Sequence, residues 1–375
     1  MNDLLIRRAR LMDAPGTVDI AIKDGYIVAA GAGVAGSARQ MVDAAGRLLI
    51  PAFVDAHTHL DKAFTAPQEG VASLEEAIED FQRRSRKMDK NDFIDRGRRV
   101  LKMALRHGTT TIRTHITVNE TLGLRGLEAA LELKEEFAGK VDLQVFAMAS
   151  GLDPAPVPPL KELFSEALRL GVDGLGGAPH LAARMEEWVD YLFELAGQSG
   201  VPLDFHVDET DAPSVASLEY IAAKTLREGF RGRVVASQCC GLAAVDEDTA
   251  RRAIAAVKEA GISVITLPSC NLYLMGRQDR GLVRRGVTRV RELQDAGVNV
   301  AYASDNIRDA FRPFGNANML EEALITAQVL QMGTPGELKN IMKMGTYNAA
   351  AAIGLKHYGI KAGDRADMVL LDAIT

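Results

Sequence analysis

The chain has 375 residues, 47% hydrophobic and 25% charged, a globular balance with length for one barrel-sized domain and a small accessory one. A net charge of -6 argues against nucleic acid as a partner, because the only dense basic run, Arg83-Arg84-Ser85-Arg86-Lys87, reads as a solvated helix face. Cys239, Cys240 and Cys270 lack Cys-x-x-Cys spacing, which argues against a disulfide framework or zinc finger and fits a reducing cytoplasm; no leader-like start or run of ~18 apolar residues points to a membrane.

Residues 1–48 read as short strands, Leu4–Arg8, Val18–Lys23 and Tyr26–Ala30, with Asp24-Gly25 as a two-residue hairpin turn. The first barrel strand is expected over Leu48–Asp55. Further short apolar strands follow at Thr110–His115, Leu143–Met148, Gly174–Gly177, Leu203–Asp208, Val234–Gln238, Val264–Leu267 and Val298–Asp305, with helical patterns between them. Eight βα units close most naturally into an α/β fold of the TIM type, a (β/α)₈ barrel, whose active sites lie at the C-terminal strand ends. A doubly wound open sheet is the alternative, but no Gly-x-Gly-x-x-Gly turn follows a strand. Helical material around Leu74–His107 is expected to cover the barrel mouth or to pack between the first two strands.

The stretch with the strongest chemical content is Pro51-Ala52-Phe53-Val54-Asp55-Ala56-His57-Thr58-His59-Leu60-Asp61-Lys62. Two histidines spaced one apart at a strand end share a side, so two imidazoles can grip one metal ion. A lone histidine on an apolar face is usually a packed core residue. Here further ligand types recur at later strand ends: Phe205-His206-Val207-Asp208-Glu209 after the fifth and Ala303-Ser304-Asp305-Asn306 after the eighth. On its own, Asp305 reads equally well as a helix N-cap.

The PxFVDxHxHLDK stretch resembles the first-strand motif of the amidohydrolase superfamily, in its cytosine deaminase-like branch, and the similarity runs along nearly the whole chain. This resemblance implies a small β domain assembled from both termini, with residues 1–48 and 356–375 flanking a barrel over 49–355. The run Ala362–Asp367 and a strand Met368–Asp372 would return the chain to that sheet. It further implies that His57, His59, His206 and Asp305 hold one divalent metal ion, zinc or iron. Glu209 would be the proton shuttle, and Asp305 would also take a proton from the attacking water. Binuclear members carry a lysine at the end of strand four, and Gly174–His180 contains none. His180 is then expected as a loop or pocket-wall residue, and His107 and His357 as a helix end and a surface residue.

Departures from the cytosine deaminase pattern bear on substrate. Gln238 stands where the family places a water-orienting histidine, and glutamine cannot act as a cation or general base near pH 7. Phe146–Gly151 is apolar and small where a pyrimidine-reading glutamine is expected, and Asn306 replaces a second aspartate. The resemblance thus implies a small-molecule substrate other than cytosine, an aminated heterocycle or cyclic amidine. Substrate contacts are assigned to His115, Met148, Asn306 and Phe311, and catalytic roles to Glu209, Asp305 and Gln238. Cyclic amide hydrolysis is the runner-up, and a metal-binding barrel without turnover is the alternative outside enzymes, suggested by Gln238. Assembly as a homo-oligomer stays open, since no stretch marks an interface.

Overall fold

The computed structural model describes residues 1–67, 69–150, 153 and 155–373; Gly151, part of the strand-three stretch above, lies outside them. The N-terminal segment forms a four-stranded sheet from β1 (Asn2–Ala9), β2 (Val18–Lys23), β3 (Tyr26–Gly31) and β4 (Ala38–Asp43), in the order β3-β2-β1-β4. Positive φ at Asp24 and Gly25, 52° and 77°, is the backbone a two-residue β2–β3 turn demands. Sequence reading missed β4, which runs parallel to β1 at the sheet edge with most of its side chains exposed. An edge strand of this kind has no buried face to impose alternation on its residues.

The expected strand Leu48–Asp55 is two strands. β5 (Leu49–Pro51) pairs antiparallel with β14 (Met368–Leu370), whereas β6 (Phe53–Thr58) enters the barrel. The exchange of partners occurs at Ala52: its N–H donates to the Asp367 carbonyl at 2.9 Å, and the next N–H, that of Phe53, donates to the Gly108 carbonyl at 2.9 Å. Chain segments near both ends thus share one small domain, whose core joins Ile6, Ile20 and Ile27 to Leu49, Met368 and Leu370.

Eight parallel strands follow in sequence order: β6, β7 (Thr109–Val118), β8 (Asp142–Ala149), β9 (Gly174–Gly177), β10 (Leu203–Val207), β11 (Val234–Gln238), β12 (Ser263–Thr266) and β13 (Val300–Tyr302). The barrel closes between first and last through a Thr58–Asp305 bridge, in which the Asp305 N–H donates to the His57 carbonyl at 2.9 Å. Below it, the Asp55 carboxylate accepts from the Ser304 N–H at 3.0 Å and from the Ser304 hydroxyl at 2.5 Å. These bonds bring Asp305 to the first-strand histidines, although 248 positions separate it from His57.

The barrel interior carries a small apolar layer, Val54, Ala56, Val235, Ile265, Ala301 and Ala303, plugged from below by Ala349, Ala350 and Ile353. A polar layer includes Arg113, whose guanidinium donates to Asp204 at 2.8 Å, while the Ser237 hydroxyl donates to the same carboxylate at 3.1 Å. β9 is Gly-Leu-Gly-Gly because a Cβ at Gly176 would overlap the Asp204 carbonyl oxygen, and one at Gly174 the Phe146 ring. Helix α1 (Leu74–Ser85) sends Leu74, Ile78 and Phe81 into the cavity at the barrel mouth, while α2 (Lys90–Arg106) packs against β7 and the helix Arg125–Glu136 and ends at a His107 cap. Arg83 and Arg84 both pair with Asp80 on the α1 surface. None of the described helices is long and apolar enough to cross a membrane.

Candidate active site

At the C-terminal strand ends, His57 from β6, His59 just after it, His206 from β10 and Asp305 after β13 converge, all buried. Nε2 of His206 lies 3.1 Å from Nε2 of both His57 and His59, and Asp305 Oδ1 lies 3.6 and 3.4 Å from those two nitrogens. Side-chain atoms left without a hydrogen-bond partner among the described residues include Asp305 Oδ1 and Nδ1 of His57 and of His206. Three imidazole nitrogens and an orphaned carboxylate oxygen facing one point form a donor set suited to zinc or divalent iron.

Protonation states agree with that fit. Burial pushes His57 down to about 3 and His206 well below the ordinary imidazole range, so both offer lone pairs at neutral pH. Burial works against a charged Asp305, but His59, His57 and the Gln238 amide outweigh it and hold the carboxyl below the usual range. His59 Nδ1 lies 3.0 Å from the His115 carbonyl oxygen, which can only accept; donating there leaves Nε2 for the cluster.

Glu209 is presented by a strained turn. Asp208, at φ 43°, accepts from the Ser217 hydroxyl at 2.7 Å and the Leu218 N–H at 3.0 Å, which turns the next residue into the cavity. Burial, reinforced by the Asp305 charge, raises the Glu209 carboxyl well above its ordinary value. Gln238 and Asp305 also have positive φ, 74° and 58°. Three non-glycine residues in this sparsely populated region at the C-terminal strand ends of one barrel are typical of functional sites.

The cavity, about 570 Å³ of empty space including its mouth, is lined by Glu209, Gln238, Asp305, Asn306, Met148 and Phe311, among others. Gln238 donates from Nε2 to Asp305 Oδ2 at 2.9 Å and accepts from Asn271 Nδ2 at 2.6 Å. Asn306 donates to Asp309 at 2.7 Å. His115 stands behind the ligands rather than on the cavity wall; its ring lies 4.0 Å from that of His57, tilted 32°, and its Nε2 is 3.5 Å from Asp204. His180 sits in a short turn beside the third histidine, its Nδ1 3.1 Å from the His206 carbonyl oxygen, and His357 is exposed. All three cysteines are buried free thiols, with Cys270 3.6 Å from Asn306 Oδ1.

Sequence reading missed Lys62, Phe81 and Asn271. Lys62 stands inside the quoted motif, three residues after His59, and that proximity was its available signal. Asn271, in a short helix after β12, and Phe81 on α1 reach the site by packing alone, and no sequence pattern marks them.

This fold, with three histidines and an aspartate at its strand ends, defines the class of metal-dependent hydrolases built on (β/α)₈ barrels. A family model described as "Amidohydrolase family" matches residues 40–129 and 98–374, and the chain belongs to that family. N-isopropylammelide isopropyl amidohydrolase of Pseudomonas sp. (strain ADP) is 32% identical over 387 residues, covering 100% of this chain and 92% of that protein. Pterin deaminase of Rhizobium rhizogenes (strain K84 / ATCC BAA-868) is 34% identical over 367 residues, covering 95% of this chain and 82% of that one. The structure of 5-methylcytosine deaminase from Klebsiella pneumoniae with 5-fluorocytosine superposes with a TM-score of 0.92 at 32% identity, over 99% of this chain and 92% of that one. The chain is therefore an enzyme, a hydrolase of C–N bonds.

Proposed function

We propose that this enzyme deaminates an aminated heterocycle or cyclic amidine other than cytosine, using one zinc or iron ion held by His57, His59, His206 and Asp305. The observation that carries the reading is a protonatable carboxyl, Glu209, buried in the same cavity as an ionised one, Asp305. Two carboxyls pushed apart in this way divide acid and base work between them. When bound, the ion would lower the pKa of a water molecule toward ~7 and supply the positive charge that hydrolysis of an sp² carbon requires. Asp305 accepts a proton on its carboxylate, and Glu209 delivers one to the ring or leaving nitrogen, so that ammonia or an amine departs. Gln238 holds the other Asp305 oxygen in place without titrating.

Leu74, Ile78, Phe81 and Met148 form an apolar wall that suits a flat ring and excludes water. Met148 offers no amide to read a pyrimidine edge, and Asn306 spends its NH₂ on Asp309, which supports a substrate other than cytosine. A metal-reconstituted enzyme screened against aminated pyrimidines, triazines, pterins and cyclic amidines is expected to release ammonia and leave the ring intact. Ring opening without ammonia would make it a cyclic amide hydrolase instead. Metal retention with no turnover on any of these compounds would support a binding protein.

A further inference from the structure

Asp305 is held at φ 58° partly by β6: its N–H donates to the His57 carbonyl, and the Thr58 hydroxyl donates to its own carbonyl at 2.8 Å. The peptide before it has a further anchor. Asp55 takes the Ser304 N–H and hydroxyl, while the Ser304 carbonyl has one donor among the described residues, Arg312 Nη1 at 3.1 Å. The same nitrogen donates to Glu322 Oε1 at 2.6 Å, on the helix Met319–Val329 outside the barrel strands. Both side chains are buried, 3% and 1% exposed, and neither lines the substrate cavity. Between Asp305 and Arg312 the chain folds back on Asp309, which accepts from the N–H groups of Phe311 and Arg312 at 2.9 and 3.0 Å. That fold returns the guanidinium to the strand end it has just left. A buried ion pair exchanged for apolar side chains commonly costs little stability, so stability alone gives no reason for this one. A non-glycine residue in the left-handed region is strained, and a charged N–H bond to the preceding carbonyl is strong enough to hold it there.

We propose that Arg312 is a positioning residue for the metal-ligating aspartate: through the Ser304 carbonyl it keeps Asp305 in the left-handed turn that aims its carboxylate at the three histidines, and Glu322 fixes the guanidinium in place. This inference rests on the reading of Asp305 as metal ligand and base and extends it to a pair that touches neither metal nor substrate. It assigns the helix Met319–Val329 a part in the site, since Glu322 carries the far end of the clamp.

Two variants of the full chain separate positioning from mere support. Arg312→Met/Glu322→Leu removes both charges together, so no unpaired charge stays in the core, but leaves the Ser304 carbonyl without its donor. Glu322→Gln removes the carboxylate charge and leaves the guanidinium beside Ser304. Three readouts are taken: zinc affinity by chelator competition, amide hydrogen exchange of Ser304 and Asp305 in chelator-stripped protein, and the denaturant midpoint. The double variant is expected to unfold near the wild-type midpoint, yet to bind zinc about 10- to 100-fold more weakly and to exchange those two amides at least about 10-fold faster. Glu322→Gln should lose stability and keep zinc affinity within about threefold. Should the double variant fail to fold, Arg312→Gln against Glu322→Gln carries the same comparison. Wild-type zinc affinity or wild-type exchange in the double variant would overturn the proposal. So would a zinc loss in Glu322→Gln as large as that of the double variant, since the effect would then follow the ion pair and not the bond to Ser304. If wild type itself holds no zinc, exchange alone decides: faster exchange in the double variant leaves the clamp standing while the metal reading falls, and unchanged exchange overturns both.

Discussion

Replacing Gln238 by alanine probes how the site controls Asp305. The Gln238 amide is clamped from both sides: Asn271 Nδ2 donates to its oxygen at 2.6 Å, and its own Nε2 donates to Asp305 Oδ2 at 2.9 Å. All three side chains are buried, and the ionised carboxylate can only accept, so the amide has one workable orientation. Losing a hydrogen bond to a charged acceptor costs about 1.5–3 kcal/mol, or roughly 10- to 150-fold if the whole cost appears in the chemical step. We expect Gln238→Ala to lower kcat by about 10- to 100-fold, with KM within about threefold and the metal retained, because the four ligand atoms remain. Asn271→Ala removes a neutral partner worth about 1 kcal/mol, and the double variant should be no slower than Gln238→Ala, since Asn271 acts only through the glutamine. The assay is ammonia release across substrate concentrations, paired with elemental analysis after dialysis. Wild-type kcat in Gln238→Ala, or an Asn271 effect that persists undiminished in the Gln238→Ala background, would refute this account.

Glu209→Gln should keep its metal and slow turnover by about 10²–10⁴-fold. Because Glu209 works as the protonated acid and burial raises its pKa, wild-type turnover should be present below that pKa and lost as pH rises through it; the residual rate of the variant should lack this alkaline limb, and a pH-rate series that keeps it would assign the limb elsewhere. Elemental analysis should find about one metal ion per chain, and His57→Ala should lose both metal retention and activity. Two stably bound ions would contradict a one-metal site. Added zinc should raise the melting temperature of chelator-stripped protein in a concentration-dependent way. Arg113→Met leaves the buried Asp204 carboxylate without its cation and with only the Ser237 hydroxyl, which should cost about 3–5 kcal/mol by denaturant unfolding; a loss under 1 kcal/mol would show that Asp204 does not need the guanidinium.

Much of the candidate site was readable because it lies at strand ends, where a short apolar run and the polar residues that follow it are contiguous in sequence. His57, His59, His206, Glu209 and Asp305 all have that signature, and so do the eight barrel strands. The Asp24-Gly25 turn was equally local: two residues with positive φ define it. The β5–β6 exchange at Ala52 was not readable, since Leu48–Val54 is apolar throughout and nothing in it says that its first part pairs with a strand more than 300 residues later. β4 was lost for the opposite reason, as its exposed edge imposes no pattern.

The sequence by itself therefore determined which groups could do chemistry and the order in which the barrel presents them, since each depends on a handful of neighbouring residues. Tertiary structure alone decided what surrounds them. Barrel closure through Asp55 and Ser304 sets Asp305 beside the first-strand histidines, and packing of α1 over the mouth brings Phe81 to Lys62. The clamp of Asn271 on Gln238 joins two separate βα units. These contacts depend on side chains meeting across elements that are far apart in the chain, and residue periodicity carries no information about which elements will meet.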